Sequence, residues 1–196
     1  MESLPTIIPK IAIVGPESTG KSTMSAYLAE HYQTVWVPEY ARGYCEKLIE
    51  PPTWQDEINM FYGQVALEEE YLPKANQFLI CDTTFITVKI WSDYTFGRSP
   101  QEVLDELPRH PYDLYLLLNI DLPWEEDPLR DFPHMREHFM EVWYKELKEL
   151  KADFYTSNAE LSDQTIQSQV TKKVEPLGLK ELTSPPQRMR LLKNER

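Results

Sequence analysis

Cysteine, positive charge and long apolar runs are all scarce in this sequence, and each scarcity removes a class of protein. Among 196 residues there are two cysteines, Cys45 and Cys81, far apart and without Cys-x-x-Cys spacing. This argues against a disulfide framework and a structural zinc site, so both are expected as reduced, partly buried thiols. No run of about 18 apolar residues occurs, and residues 1–10 lack a basic segment followed by an apolar one. No membrane span or targeting signal is therefore expected, and the chain is expected in the cytoplasm. Lysine and arginine number 20 against 32 aspartates and glutamates, a net charge of −12. That balance argues against long nucleic acid and acidic membrane as partners, because gripping a polyphosphate needs a basic stripe that releases counterions. It leaves room for one small anion, since a few local cations and backbone amides suffice to hold a triphosphate.

What is present is an alternation of short apolar runs with segments of helical spacing. Runs at residues 11–14, 35–37, 78–81, 114–118 and, more weakly, 154–155 read as strands. Helices are predicted over 21–32, 137–150 and 165–174. A long one follows Thr53, where Thr53 and Asp56 form a capping box and Trp54, Ile58, Phe61, Val65 and Leu72 repeat. A short one follows Ser99, read as its N-cap with Pro100 in the first turn and Glu102 as the capping acid, and stops before Pro108. Strands alternating with helices need parallel crossovers. The predicted class is α/β, three layers around a central, mostly parallel five-stranded sheet. Residues 1–182 are expected as one domain, with 183–196 as a mobile basic tail; the oligomeric state stays open.

Gly15, Pro16, Glu17, Ser18, Thr19, Gly20, Lys21 and Ser22 match G-x-x-x-x-G-K-[ST] at every fixed position, with Thr23 following. A strand precedes the motif and a helix follows, as a phosphate cradle requires: glycines let backbone amides turn inward, and the helix N-terminus adds partial positive charge. ATP and magnesium are the expected cofactors, with Lys21 on the β- and γ-phosphates and the Ser22 hydroxyl on the metal. Ligands of open α/β sheets bind beyond the carboxyl ends of the strands. Asp82, which ends the run from Phe78 to Cys81, is the candidate acid for magnesium.

The strings IAIVGPESTGKST, VPEYAR, FLICDTTFIT and DPLRDFPHMREHF, in that order across residues 10–175, resemble the ribosylnicotinamide kinase domain of the bacterial NAD-biosynthesis regulators of the NadR type. The resemblance implies ATP-dependent phosphorylation of the ribose 5′-hydroxyl of nicotinamide riboside, giving nicotinamide mononucleotide. It also implies a P-loop kinase sheet in which the strand ending at Asp82 lies beside the P-loop strand. Two departures stand out. The chain has no room for the adenylyltransferase domain of those regulators, and it carries Asp82-Thr83-Thr84 where they often show Asp-Thr-Asp.

A kinase acting on a hydroxyl needs a carboxylate beside that hydroxyl. Glu39, following the second apolar run, resembles the strand-end base of deoxynucleoside kinases; Arg42 is its candidate orienting or phosphate-facing neighbour, and Asp82 is the alternative base. Arg130 and Arg136 fall where such kinases close a lid over the triphosphate. His134, Glu137 and His138 fit H-x-x-E-H, but short histidine patterns recur by chance and a lid explains the stretch better. A flat, cationic nicotinamide ring suits aromatic faces. Candidates are Tyr40, Tyr62, Phe85, Trp91 and Tyr94, with Gln64 for the carboxamide and Asp121 and Trp124 as further possibilities. Against the riboside kinase stand a kinase for another nucleoside or small metabolite and, from another class, a nucleotide-dependent switch or assembly ATPase.

Overall fold

The computed structural model of the chain describes residues 8–157. The predicted helix over 165–174 and the tail lie outside them. Five strands form the sheet: β1 (Lys10–Val14), β2 (Trp36–Val37), β3 (Leu79–Asp82), β4 (Leu114–Leu118) and β5 (Phe154–Ser157), in the order β2-β3-β1-β4-β5. Every neighbouring pair is parallel. The connections are α1 (Lys21–Tyr32), α2 (Tyr40–Cys45), α3 (Trp54–Tyr71), α4 (Phe85–Phe96), α5 (Gln101–Glu106) and α6 (Arg136–Glu149). No described helix is long and apolar enough to cross a membrane.

The apolar runs are nearly continuous because both faces of the sheet are covered, so alternate side chains enter two different cores. Ile11 and Ile13 of β1, with Leu114 and Leu116 of β4, pack on α1 through Met24 and Leu28. Ala12 and Val14, with Tyr115 and Leu117, face the other way toward Phe61 of α3, Ile86 of α4 and Trp143 of α6. The three-layer expectation is met. β3 lies beside β1, with Asp82 opposite Ile13.

The capping box at α3 forms: Asp56 N–H donates to Thr53 Oγ1 at 3.3 Å, and Thr53 N–H donates to Asp56 Oδ2 at 2.8 Å. At α5 the expectation is corrected. Pro100 occupies the N-cap, while the Ser99 hydroxyl engages the Lys89 carbonyl and Asp93 Oδ1 at the end of α4. The carboxylate is the stronger acceptor, and it draws Ser99 away from the helix end. α2 and α4 are additions to the predicted elements. α4 is apolar on several faces and rich in β-branched residues, so it presents no polar stripe from which a 3.6-residue period is read.

Candidate active site

The loop from β1 into α1 is shaped by its glycines. Gly15 has φ 143°, and a Cβ there would stand 2.8 Å from the Leu118 carbonyl of β4. Gly20, with φ 81°, is the N-cap of α1, whose first turn holds no acidic residue. An anion approaching this end meets the free backbone N–H groups of α1 and no acidic side chain from its first turn. Lys21 Nζ reaches back across the loop to the Pro16 carbonyl at 2.8 Å, and Thr19 Oγ1 donates to the same oxygen at 2.9 Å.

Asp82 ends β3 next to this loop and is 2 % exposed. Burial raises its carboxyl above the ordinary aspartate value, opposed by a hydrogen bond from Ser22 and by the charges of Lys21 and Arg42. Its Oδ1 has no hydrogen-bond partner among the described residues. One buried carboxylate oxygen left open beside a serine hydroxyl fits magnesium, which takes few protein ligands and fills its shell with water and phosphate oxygens. Ser22 and Asp82 are the residues that would hold it. The H-x-x-E-H pattern straddles the start of α6, with His134 before the helix and both histidines exposed.

Glu39 follows Pro38 at the end of β2 and is the N-cap residue of α2. Desolvation raises its carboxyl above the ordinary value; Lys21 opposes the rise and Asp82 reinforces it. Lys21, Glu39 and Asp82, read from separate strings, thus act on one another electrostatically. Arg42 acts electrostatically on both Glu39 and Asp82. Its guanidinium pairs with Asp127 at 2.5 Å and Glu46 at 3.6 Å, so it ties α2 to the segment after β4 and is not hydrogen-bonded to Glu39. The arginines of that segment seat it on the phosphate loop. Arg136 donates to the carbonyls of Ser18 at 3.0 Å and Leu122 at 2.9 Å, while Arg130 holds the Glu125 carbonyl at 2.7 Å. The Glu125 N–H completes the link by donating to Ser18 Oγ at 2.9 Å.

A cavity of about 970 Å³ joins the loop to Glu39 and continues between α3 and α4. Gln64 and Trp91 line it. Three other aromatic assignments are corrected. Phe85 is 1 % exposed and packs on Phe61 and Tyr112, because the first turn of α4 directs it into the core. Tyr94 is partly exposed and rests on Phe132 and Phe139, and Tyr62 is exposed. Neither lines the cavity, nor do Asp121 and Trp124. Tyr40 contributes its backbone: its N–H donates to Gln64 Oε1 at 2.9 Å, which turns the Gln64 amide nitrogen, buried and without a partner, to the other side. The sequence reading missed Glu57, Met60 and Cys45 on the cavity wall. A signal for the first existed: Glu57, Gln64 and Glu68 recur at helical spacing and form a buried polar stripe on α3.

Two families match the sequence. One, described as an AAA domain, covers residues 10–163. The other, described as a Bacteriodetes cell division protein (FtsL-like), covers residues 137–195, most of which lie outside the described region. The trifunctional NAD biosynthesis/regulator protein NadR of Salmonella typhimurium is 29 % identical over an alignment of 163 positions that covers 78 % of this chain and 39 % of that protein. The chain thus spans about two fifths of the length of this curated relative. Among solved structures, the NadR protein in complex with NR superposes with a TM-score of 0.70 at 19 % identity, covering 91 % of this chain and 53 % of that one. Thymidylate kinase from Ehrlichia chaffeensis gives 0.57 at 15 % identity, covering 84 % and 97 %. At such identities these structures speak for the fold, and the fold they share is that of P-loop kinases.

Proposed function

This chain belongs to the AAA domain family, and from that premise we propose that it is an ATP-dependent nucleoside kinase whose acceptor is the ribose 5′-hydroxyl of nicotinamide riboside. The observation that carries the proposal is the continuity of one cavity from the phosphate loop, past the strand-end carboxylate Glu39, to a wall bearing Trp91 and the Gln64 amide. A switch ATPase has no use for that second compartment. The similarity to NadR supports the choice of riboside.

In this reading the loop amides and Lys21 hold the triphosphate, and Lys21 exchanges its Pro16 carbonyl for phosphate oxygens. Glu39 accepts the 5′-hydroxyl proton as that oxygen attacks the γ-phosphorus and the bond to ADP breaks. Magnesium would neutralise phosphate charge, and Ser22 and Asp82 would hold it. Arg130 and Arg136, carried on the segment seated on Ser18, face the charge that develops during transfer. Position 84, where the relatives often carry an aspartate, is here the N-cap of α4, with Thr84 Oγ1 accepting from the Ile86 N–H at 3.3 Å. Threonine and aspartate both serve in that place.

The test is incubation with ATP, magnesium and a panel of ribosides. Nicotinamide mononucleotide and ADP should form one for one. Faster turnover of cytidine, adenosine or thymidine keeps the kinase and removes the substrate; ADP release that no riboside accelerates favours the switch ATPase.

A further inference from the structure

α3 turns Glu57, Met60 and Gln64 toward the cavity. Glu57 and Gln64 are each 5 % exposed. Among the described residues no hydrogen bond or ion pair engages the Glu57 carboxylate, and Asp56 beside it adds repulsion. Such a group is costly to bury, and a cost of this kind persists where a ligand offsets it. Helix capping does not explain it. Asp56 already serves the first turn of α3 through Thr53, and a solvent-facing glutamate would gain the same dipole benefit without desolvation.

Among the described residues, the charged groups near this wall supply no cation to Glu57. Arg42 is engaged by Asp127 and Glu46. Cys45 of α2 keeps its proton, since burial and the charges of Glu57 and Glu39 push its thiol up to about 11. Glu50, in the loop after α2, and Glu39, at the end of β2, are both acids on the same cavity. No described residue thus faces Glu57 with a positive charge, and a cationic ligand would supply one. Seven residues of α-helix place Gln64 about 10 Å from Glu57 along the axis, so the wall offers an amide donor at one point and an anion further on.

We propose that Glu57 is a specificity-determining residue for the acceptor, its carboxylate facing the positively charged ring of the riboside so that the cavity selects a cationic base over a neutral one of the same shape. The inference rests on the nucleoside-kinase reading above and narrows it to a charge class. Burial holds the Glu57 carboxyl at about 7, so at neutral pH it ionises readily when a cation enters.

The experiment compares nicotinamide riboside with its reduced form, which has nearly the same outline and no ring charge. The parent should favour the cation by at least about tenfold in kcat/KM, and Glu57→Gln should remove most of that preference. Both ribosides phosphorylated, with a ratio that Glu57→Gln leaves unchanged, overturns the inference and leaves the kinase standing. Neither riboside phosphorylated by the parent overturns the acceptor reading and the inference with it. A second measurement needs no variant: 1-methylnicotinamide, a ring-methylated cation, should compete with the riboside at least about tenfold better than neutral nicotinamide. Equal competition overturns the inference even where Glu57→Gln fails to fold.

Discussion

Burial holds the Glu39 and Glu57 carboxyls of this cavity above their ordinary values, and each has a measurable consequence. For Glu39, a base must be ionised to accept the hydroxyl proton, so the acid limb of the kcat profile should lie above the ordinary glutamate range. Glu39→Gln should keep ATP binding and lower phosphoryl transfer by about a hundredfold or more. Normal transfer in that variant, together with its loss in Asp82→Asn, would move the base to Asp82. For Glu57 the readout is stability. Its folded value of about 7 lies above the ordinary 4.5, so between those limits the folded state binds more protons than the unfolded one. The contribution is fully present below about pH 4.5 and is lost as pH rises through about 7. At about pH 8 the ionised side chain costs roughly 3 kcal/mol relative to acid conditions. Glu57→Gln should therefore stabilise the chain by up to that amount at pH 8 and hardly at all near pH 4.5. Denaturant titration at the two pH values checks both magnitude and direction.

At the scale of elements, the contact between α2 and α3 yields the sharpest test. Gly63 sits inside α3, where alanine normally stabilises by about 1 kcal/mol. Here a Cβ would come 2.1 Å from the Tyr40 ring. Gly63→Ala should instead destabilise by about 1–3 kcal/mol, and in a Tyr40→Ala background the same change should turn neutral or favourable, as a double-mutant cycle would register. These elements also mark how far the sequence is legible. The strands and α1, α3 and α6 are visible because burial on one or two faces leaves a period or a run. The phosphate loop, Asp82 and Glu39 are visible because each lies in a short string at a strand end. The acceptor wall is assembled from faces of α3 and α4 whose meeting depends on the whole packing. Phe85 therefore looks like a ring partner in the string and is core in three dimensions, while Glu57 stays unremarked among the acids of an acidic chain.

For the whole molecule, nucleotide binding and folding are linked, since the P-loop takes its shape only when β1, β3 and β4 are paired. ATP with magnesium at about a hundred times its Kd should stabilise the fold by about 2.7 kcal/mol, a rise in Tm of roughly 5–10 °C for a chain of this size. Lys21→Ala should fold and lose most of that rise, and a full shift in that variant would remove Lys21 from the phosphate site. The strand order carries a further consequence, in the time domain. β1 is the first of the described strands and the central one, and its two neighbours begin at Leu79 and Leu114. Nothing near it in the chain pairs with it, so the costly long-range closures come before the reward. On the ribosome, α1 can cover one face of β1 early, but one edge of the strand must wait for β3 and the other until β4 has been synthesised and has cleared the exit. During that interval the phosphate loop, whose Gly15 lies against the Leu118 carbonyl of β4, lacks its finished shape, and ATP cannot stabilise the nascent chain.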